Sequence, residues 1–164
     1  MQTSPALCLA EVIQRETRTV VGLTTGVFDL FHLGHSRYLE ACRRMCDILV
    51  VGVDDDELAR TNKGSDRPYD NLATRLAHVS ASEFVSQTFV KMASVELLLP
   101  TILPSKYFVS ANRVLSSHRL HLLKHLSIEL ASIPYTTGIS TTIIAKRKAD
   151  ERPLDNANRT RSES

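Results

Sequence analysis

Two continuous apolar, β-branched runs, Thr19–Thr24 (TVVGLT) and Asp47–Val53 (DILVVGV), flank a segment of helical periodicity, and this arrangement restricts the fold more than any other feature of the chain. Strands whose hydrophobicity does not alternate are covered on both faces, as in a parallel sheet, and consecutive parallel strands need a crossover connection. The intervening His35–Cys46 supplies one: Tyr38, Leu39, Cys42 and Met45 recur at helical spacing, with Arg37, Arg43 and Arg44 on the other side. Weaker strand signals at Thr88–Met92, Tyr107–Ser110 and Ser127–Ile133 are interleaved with helical patterns at Leu72–Glu83, Val95–Leu99, Ser116–Leu126 and Ser140–Lys148. The expected fold is α/β, a doubly wound, parallel five-stranded sheet flanked by helices.

The 164 residues suffice for one such domain with a real core and no need of disulfides. The domain is expected over residues 16–150, between an N-terminal extension (1–15) and a polar, aperiodic tail (151–164, ERPLDNANRTRSES) read as disordered. The 20 Lys and Arg against 18 Asp and Glu leave a formal charge of +2 with no basic stripe, which argues against nucleic acid as a partner. No apolar run is long enough to span a bilayer, and the start lacks the pattern of a signal peptide, so a cytoplasmic protein without a membrane partner is expected. Cys8, Cys42 and Cys46 are expected to be reduced, the latter two as core thiols on one helix face. His118, His121 and His125 share a face of the helix Ser116–Leu126; without a companion glutamate in H-E-x-x-H spacing they read as an ordinary basic face, and no metal site is expected.

In an open parallel sheet, ligands bind beyond the carboxyl ends of the strands. The segment at that place after the first strand is Thr24-Thr25-Gly26-Val27-Phe28-Asp29-Leu30-Phe31-His32-Leu33-Gly34-His35. Glycines allow close backbone approach, and two histidines three apart at a helix entry direct two imidazoles and free N–H groups toward one point, which suits a phosphate chain.

The segment G-V-F-D-L-F-H-L-G-H resembles the H-x-G-H signature of the nucleotidyltransferase superfamily, which includes cytidylyltransferases for phospho-alcohols and adenylyltransferases for heptose phosphate. Further along, Asn62-Lys63-Gly64-Ser65-Asp66-Arg67-Pro68 is similar to the lysine-glycine loop of these enzymes, Arg75 to the arginine that opens their next helix, and Tyr135-Thr136-Thr137-Gly138-Ile139-Ser140-Thr141-Thr142 to their G-I-S-T-T segment. In order and spacing the likeness runs from about residue 19 to 145. It implies a single Rossmann-like domain that moves a nucleoside monophosphate from an NTP to a phosphorylated small-molecule acceptor. By this resemblance His32, His35 and Lys63 are catalytic. The nucleotide would be held by Thr25, Gly26, Val27, Phe28, His32, His35, Thr136, Gly138, Ile139, Ser140, Thr141 and Thr142, and the acceptor by Asp54, Asp55, Lys63 and Arg75. A magnesium ion arriving with the triphosphate is the implied cofactor, and a homodimer the implied assembly.

The chemistry is consistent with those residue types. Phosphoryl transfer asks a protein mainly to position groups and to supply positive charge and donors, and a phosphate acceptor with its second pKa near about 6 needs no general base. Asp54-Asp55-Asp56-Glu57 follows the second strand at the crevice edge; Asp56 and Glu57 read as the start of a short helix, and adjacent residues in a turn do not converge on one ion. The K-G-x-x-R-P wording, Glu83 and Tyr135 are more similar to the heptose-phosphate adenylyltransferases and favour ATP with a sugar phosphate; F-D-L-F-H and G-I-S-T-T are more similar to the cytidylyl branch and keep CTP with a phospho-alcohol as the alternative. The family's glycine and acidic pair after the fourth strand is replaced by Ser110-Ala111-Asn112-Arg113. A non-catalytic nucleotide-binding protein on the same fold is the rival reading.

Overall fold

The computed structural model describes residues 19–64 and 66–134. The extension 1–15, the tail 151–164, the helix expected over Ser140–Lys148 and the segment Tyr135–Thr142 lie outside the described residues.

Among the described residues ten elements follow one another: β1 (Val21–Gly26), α1 (Leu33–Arg43), β2 (Ile48–Asp54), α2 (Asp56–Lys63), α3 (Leu72–Ser80), β3 (Gln87–Lys91), α4 (Val95–Ile102), β4 (Lys106–Ser110), α5 (Ser117–His125) and β5 (Glu129–Ile133). The five strands form one parallel sheet in the order β3-β2-β1-β4-β5, a Rossmann-like α/β fold. Winding runs outward from β1 through β2 to β3, and resumes on the other side with β4 and β5. The direction therefore reverses between β1 and β4, where crossover helices on opposite faces leave a crevice.

Residues alternate between two apolar layers, as continuous hydrophobic strands require. In β2, Leu49, Val51 and Val53 join Leu39, Cys42, Val79 and Phe108 on one face, while Val50 packs with Leu23, Leu99, Tyr107 and Leu123 on the other. Cys42 and Cys46 are both buried there, and burial pushes the Cys42 thiol up to about 12. Gly52 gives β2 the room this packing needs, since a Cβ there would meet the Phe89 ring at 2.7 Å.

Helix boundaries follow local capping. The His32 side chain accepts from Gly34 N, so α1 starts at Leu33, earlier than periodicity suggests. Asp55, Asn71 and Ser116 cap α2, α3 and α5 through side-chain oxygens. Gly64 closes α2 at φ +103°, a left-handed conformation that favours glycine, with its N–H donating to Arg60 O. Pro100 lies inside α4 in its last turn, so the helix continues to Ile102.

Candidate active site

The carboxyl ends of β1, β2 and β4 open into one cavity of about 790 Å³, a size suited to a nucleotide-scale ligand. Its walls bring together Thr25, Gly26, Val27, Phe28, His32, His35, Asp54 and Lys63, residues spread over almost forty positions of sequence. Asp29, Tyr38, Asn62, Arg67, Asn112 and Arg113 also line it, and the sequence reading had given the first four no role of their own.

The loop from β1 to α1 forms one wall. Phe28 (φ 53°) and Leu30 (φ 47°) adopt left-handed conformations that side chains disfavour, a kind of local strain that concentrates at functional sites. Buried anchors hold them: the Phe28 and Leu30 side chains are inserted into the protein, and Asp29 accepts from Tyr69 N, Asp70 N and Arg67 Nη1 at 3.0–3.2 Å. One carboxylate thereby ties the β1 loop to the segment that leads into α3. The Arg67 guanidinium also lies 4.2 Å from the centre of the Tyr69 ring.

The two histidines follow. Their rings stack with centroids 4.0 Å apart, and the His35 ring also contacts Phe28 and Phe31 at 5.5 Å. Gly34 N donates to His32 Nδ1 at 3.0 Å, so that nitrogen presents a lone pair and the neutral ring carries its proton on Nε2. Burial lowers the His32 pKa. Burial, reinforced by His32 itself, lowers that of His35 to about 3. Both imidazoles are therefore neutral at physiological pH. His35 Nδ1 is buried and has no hydrogen-bond partner among the described residues, which is unusual for a buried polar atom.

On the β2 side the charges are matched. Lys91 Nζ donates to Asp54 Oδ1 at 2.9 Å, and Asn62 Nδ2 to Asp54 Oδ2 at 3.3 Å. Arg75, expected at the acceptor, has 0% exposure and is not among the cavity-lining residues. Its guanidinium donates to Val27 O at 2.8 Å, Asp54 O at 2.7 Å, Asp70 O at 3.0 Å and Asp56 Oδ1 at 2.7 Å, so all three of its nitrogens are engaged by the protein. The Asp55 carboxylate caps α2 by accepting from Leu58 N at 2.7 Å, and it is not among the cavity-lining residues. Lys63 stands exposed at the end of α2 and belongs to none of these pairs. Thr136, Gly138, Ile139, Ser140, Thr141 and Thr142 lie outside the described residues.

Magnesium was expected to arrive with the triphosphate, and the carboxylates do not build a cage for it. Both oxygens of Asp54 and of Asp29 already accept from protein donors, and no group of three or more His, Cys, Asp or Glu residues is arranged to hold a metal ion among the described residues. No helix among the described residues is long and apolar enough to cross a membrane.

Residues 23–147 match the family model described as cytidylyltransferase-like. The chain belongs to that family. Among curated proteins it is similar to the bifunctional protein HldE of Campylobacter curvus, with 30% identity over 87% of this chain and 30% of that protein. The bifunctional protein HldE of Desulfatibacillum aliphaticivorans is 33% identical over 82% of this chain and 28% of its own length. The chain thus spans about three tenths of these relatives. A solved structure, that of the lipopolysaccharide core biosynthesis protein from Thermoplasma volcanium, superposes with a TM-score of 0.62 at 24% identity, covering 74% of this chain and 99% of that one, and so shares its fold.

Proposed function

We propose that the chain transfers a nucleoside monophosphate from a magnesium-bound NTP to the phosphate of a small molecule, with release of pyrophosphate. One observation carries this reading: two neutral, stacked imidazoles stand at the N-terminus of α1, beside the cavity at the winding reversal of a family-typical sheet. An oxygen of the acceptor phosphate attacks Pα in line, the bond from Pα to the bridging oxygen of the β-phosphate breaks, and pyrophosphate leaves with that electron pair. The acceptor is already an anion, so no residue removes a proton. His32, held as the Nε2–H tautomer by its own cap, donates to phosphate oxygens where charge accumulates, and His35 lines the cavity beside it. Lys63 adds a point charge at the mouth of the cavity, and by resemblance the Thr136–Thr142 segment holds the leaving pyrophosphate.

ATP with a sugar phosphate is the preferred pair, on the K-G-x-x-R-P wording, Glu83 and Tyr135. CTP with glycerol 3-phosphate or another phospho-alcohol is the alternative. The relatives are named bifunctional, and a match to about three tenths of their length fits a domain that carries one of two activities. A homodimer and a cytoplasmic location are proposed on resemblance alone.

The test is a pyrophosphate-release screen of ATP, CTP, GTP and UTP against phosphorylated sugars, polyols and amino alcohols. Release with ATP and a sugar phosphate is expected. A signal with CTP alone reverses the nucleotide assignment, and nucleotide binding with no release from any pair turns the reading to a non-catalytic binder.

A further inference from the structure

A buried lysine at the end of an edge strand stands outside the mechanism above. Lys91 closes β3 with 5% exposure, and its Nζ lies 2.9 Å from Asp54 Oδ1, itself in a residue with 5% exposure. Burying an ion pair brings little net stability, because desolvation offsets the attraction, and apolar residues of the same volume commonly do as well. The pair is not remote core. Asp54 lines the cavity while Lys91 does not, so the lysine approaches the carboxylate from behind. Asn62 Nδ2 holds the second oxygen at 3.3 Å, and Arg75 Nη1 holds the Asp54 carbonyl at 2.7 Å.

We infer that Lys91 is a positioning and neutralising residue that makes Asp54 a hydroxyl-binding group, so the acceptor is a polyol or sugar phosphate and not an amino-alcohol phosphate. The inference rests on the acceptor lying at the β2 side of the proposed transfer site. A carboxylate has about four lone-pair positions, and two donors leave Asp54 able to accept from a ligand hydroxyl. A bare carboxylate there would repel the acceptor's phosphate and attract an ammonium. Asp54 with Lys91 behind it does neither, and the same holds for its neighbours, since Asp56 is matched by Arg75 and Asp29 by Arg67. Among the described residues of this wall, Lys63 stands outside these ion pairs and presents its charge to a phosphate, while Arg113 lines the same cavity from the β4 side. The acceptor region therefore offers a cation for a phosphate and a neutral, preorganised acceptor for a hydroxyl.

A charge series tests this. Binding of glycerol 3-phosphate and of phosphoethanolamine, similar in size but differing in hydroxyl against ammonium, is measured by calorimetry on the full chain and on Lys91→Met, Asp54→Asn and Asp54→Asn/Lys91→Met, each verified as folded by circular dichroism. The wild type should favour glycerol 3-phosphate by about tenfold or more, because an ammonium placed against the neutralised pair loses hydration without gaining a counter-charge. Lys91→Met, one charge more negative, should move the ratio toward phosphoethanolamine; Asp54→Asn, one charge more positive, should move it the other way; the double variant should return near the wild-type ratio. A purely structural role for Lys91 would weaken both ligands equally and leave the ratio flat. If Lys91→Met fails to fold, the Asp54→Asn and double variants decide the trend. A flat ratio, a wild type that prefers phosphoethanolamine, or a wild type that binds neither overturns the inference. Pyrophosphate release by the wild type is scored separately: its absence with discrimination intact refutes the transfer reaction and leaves the subsite, and its presence with a flat ratio does the reverse.

Discussion

The cavity has two poles built on opposite principles. At the β1 pole, His32 and His35 are kept uncharged by burial and stacked on each other, with His35 in edge and tilted contact with Phe28 and Phe31, and one of their nitrogens serves as a helix cap. Around the β2 pole three carboxylates are held against cations: Asp54 by Lys91, Asp56 by Arg75 and, reaching across from the β1 loop, Asp29 by Arg67. Both solutions leave low net charge on buried groups. They differ in what a perturbation does: at the first pole a lost side chain removes a donor, whereas at the second it strands a partner charge. Catalytic and structural effects should separate accordingly.

The largest expected effect lies at the ionic pole. Arg75→Met should lower stability by about 3–5 kcal/mol, since it leaves three carbonyls without their donor and the part-exposed Asp56 without its cation; urea unfolding checks this, and a cost under about 1 kcal/mol would mean that these contacts do not hold the loop and strand ends together. His35→Ala should do the opposite, reducing turnover by about 10²–10³-fold while the chain stays folded, as read from pyrophosphate release and circular dichroism. Wild-type turnover in that variant would show the histidine pole to be misassigned.

Asp29→Asn comes next, at about 2 kcal/mol, because an amide oxygen retains part of the grip on Tyr69 N and Asp70 N but leaves Arg67 without its carboxylate. The histidine pole should also have an acid signature. His35 titrates at about 3 when folded against 6.5 when exposed, so between those values the unfolded chain binds a proton that the folded chain does not. Stability must then fall as pH drops from 6.5 toward 3, by at most about 1.4 kcal/mol per pH unit from this group. His35→Gln should flatten that slope in pH-dependent urea melts, and an unchanged slope would place the acid sensitivity elsewhere. The smallest effect is Lys63→Ala: stability within about 0.5 kcal/mol of wild type, with the change confined to substrate KM.

The histidine pole was readable in the sequence because it is local. Gly26 to His35 is one contiguous segment after an unmistakable buried strand, and strand, turn and helix entry are adjacent in the chain. The ionic pole was not. Arg75 looks like a surface charge opening a helix, and its acceptors are backbone carbonyls of Val27, Asp54 and Asp70, which carry no sequence signal. Lys91 is a lone lysine at the end of a weak strand, and only the parallel pairing of β2 with β3, which sets Asp54 opposite it, gives it a partner. Asp29 was visible as part of the G-V-F-D run, but its role depends on a loop about forty residues away. Interactions between distant segments set by strand register are what periodicity cannot supply. The strand count and order of elements, by contrast, followed directly from the alternation of apolar runs with amphipathic ones, and so did the burial of the Cys42 thiol on its helix face; α1 ends at Arg43, and Cys46 is buried just beyond the helix and not on it.

The central claim is the transfer itself, and phosphorus NMR of the wild-type chain with magnesium, NTP and a polyol or sugar phosphate tests it most directly. The account predicts pyrophosphate and a pyrophosphate-bridged product appearing in equal amounts, with the acceptor's own phosphate retained in the bridge. Release of inorganic phosphate, or pyrophosphate without the bridged product, would contradict it.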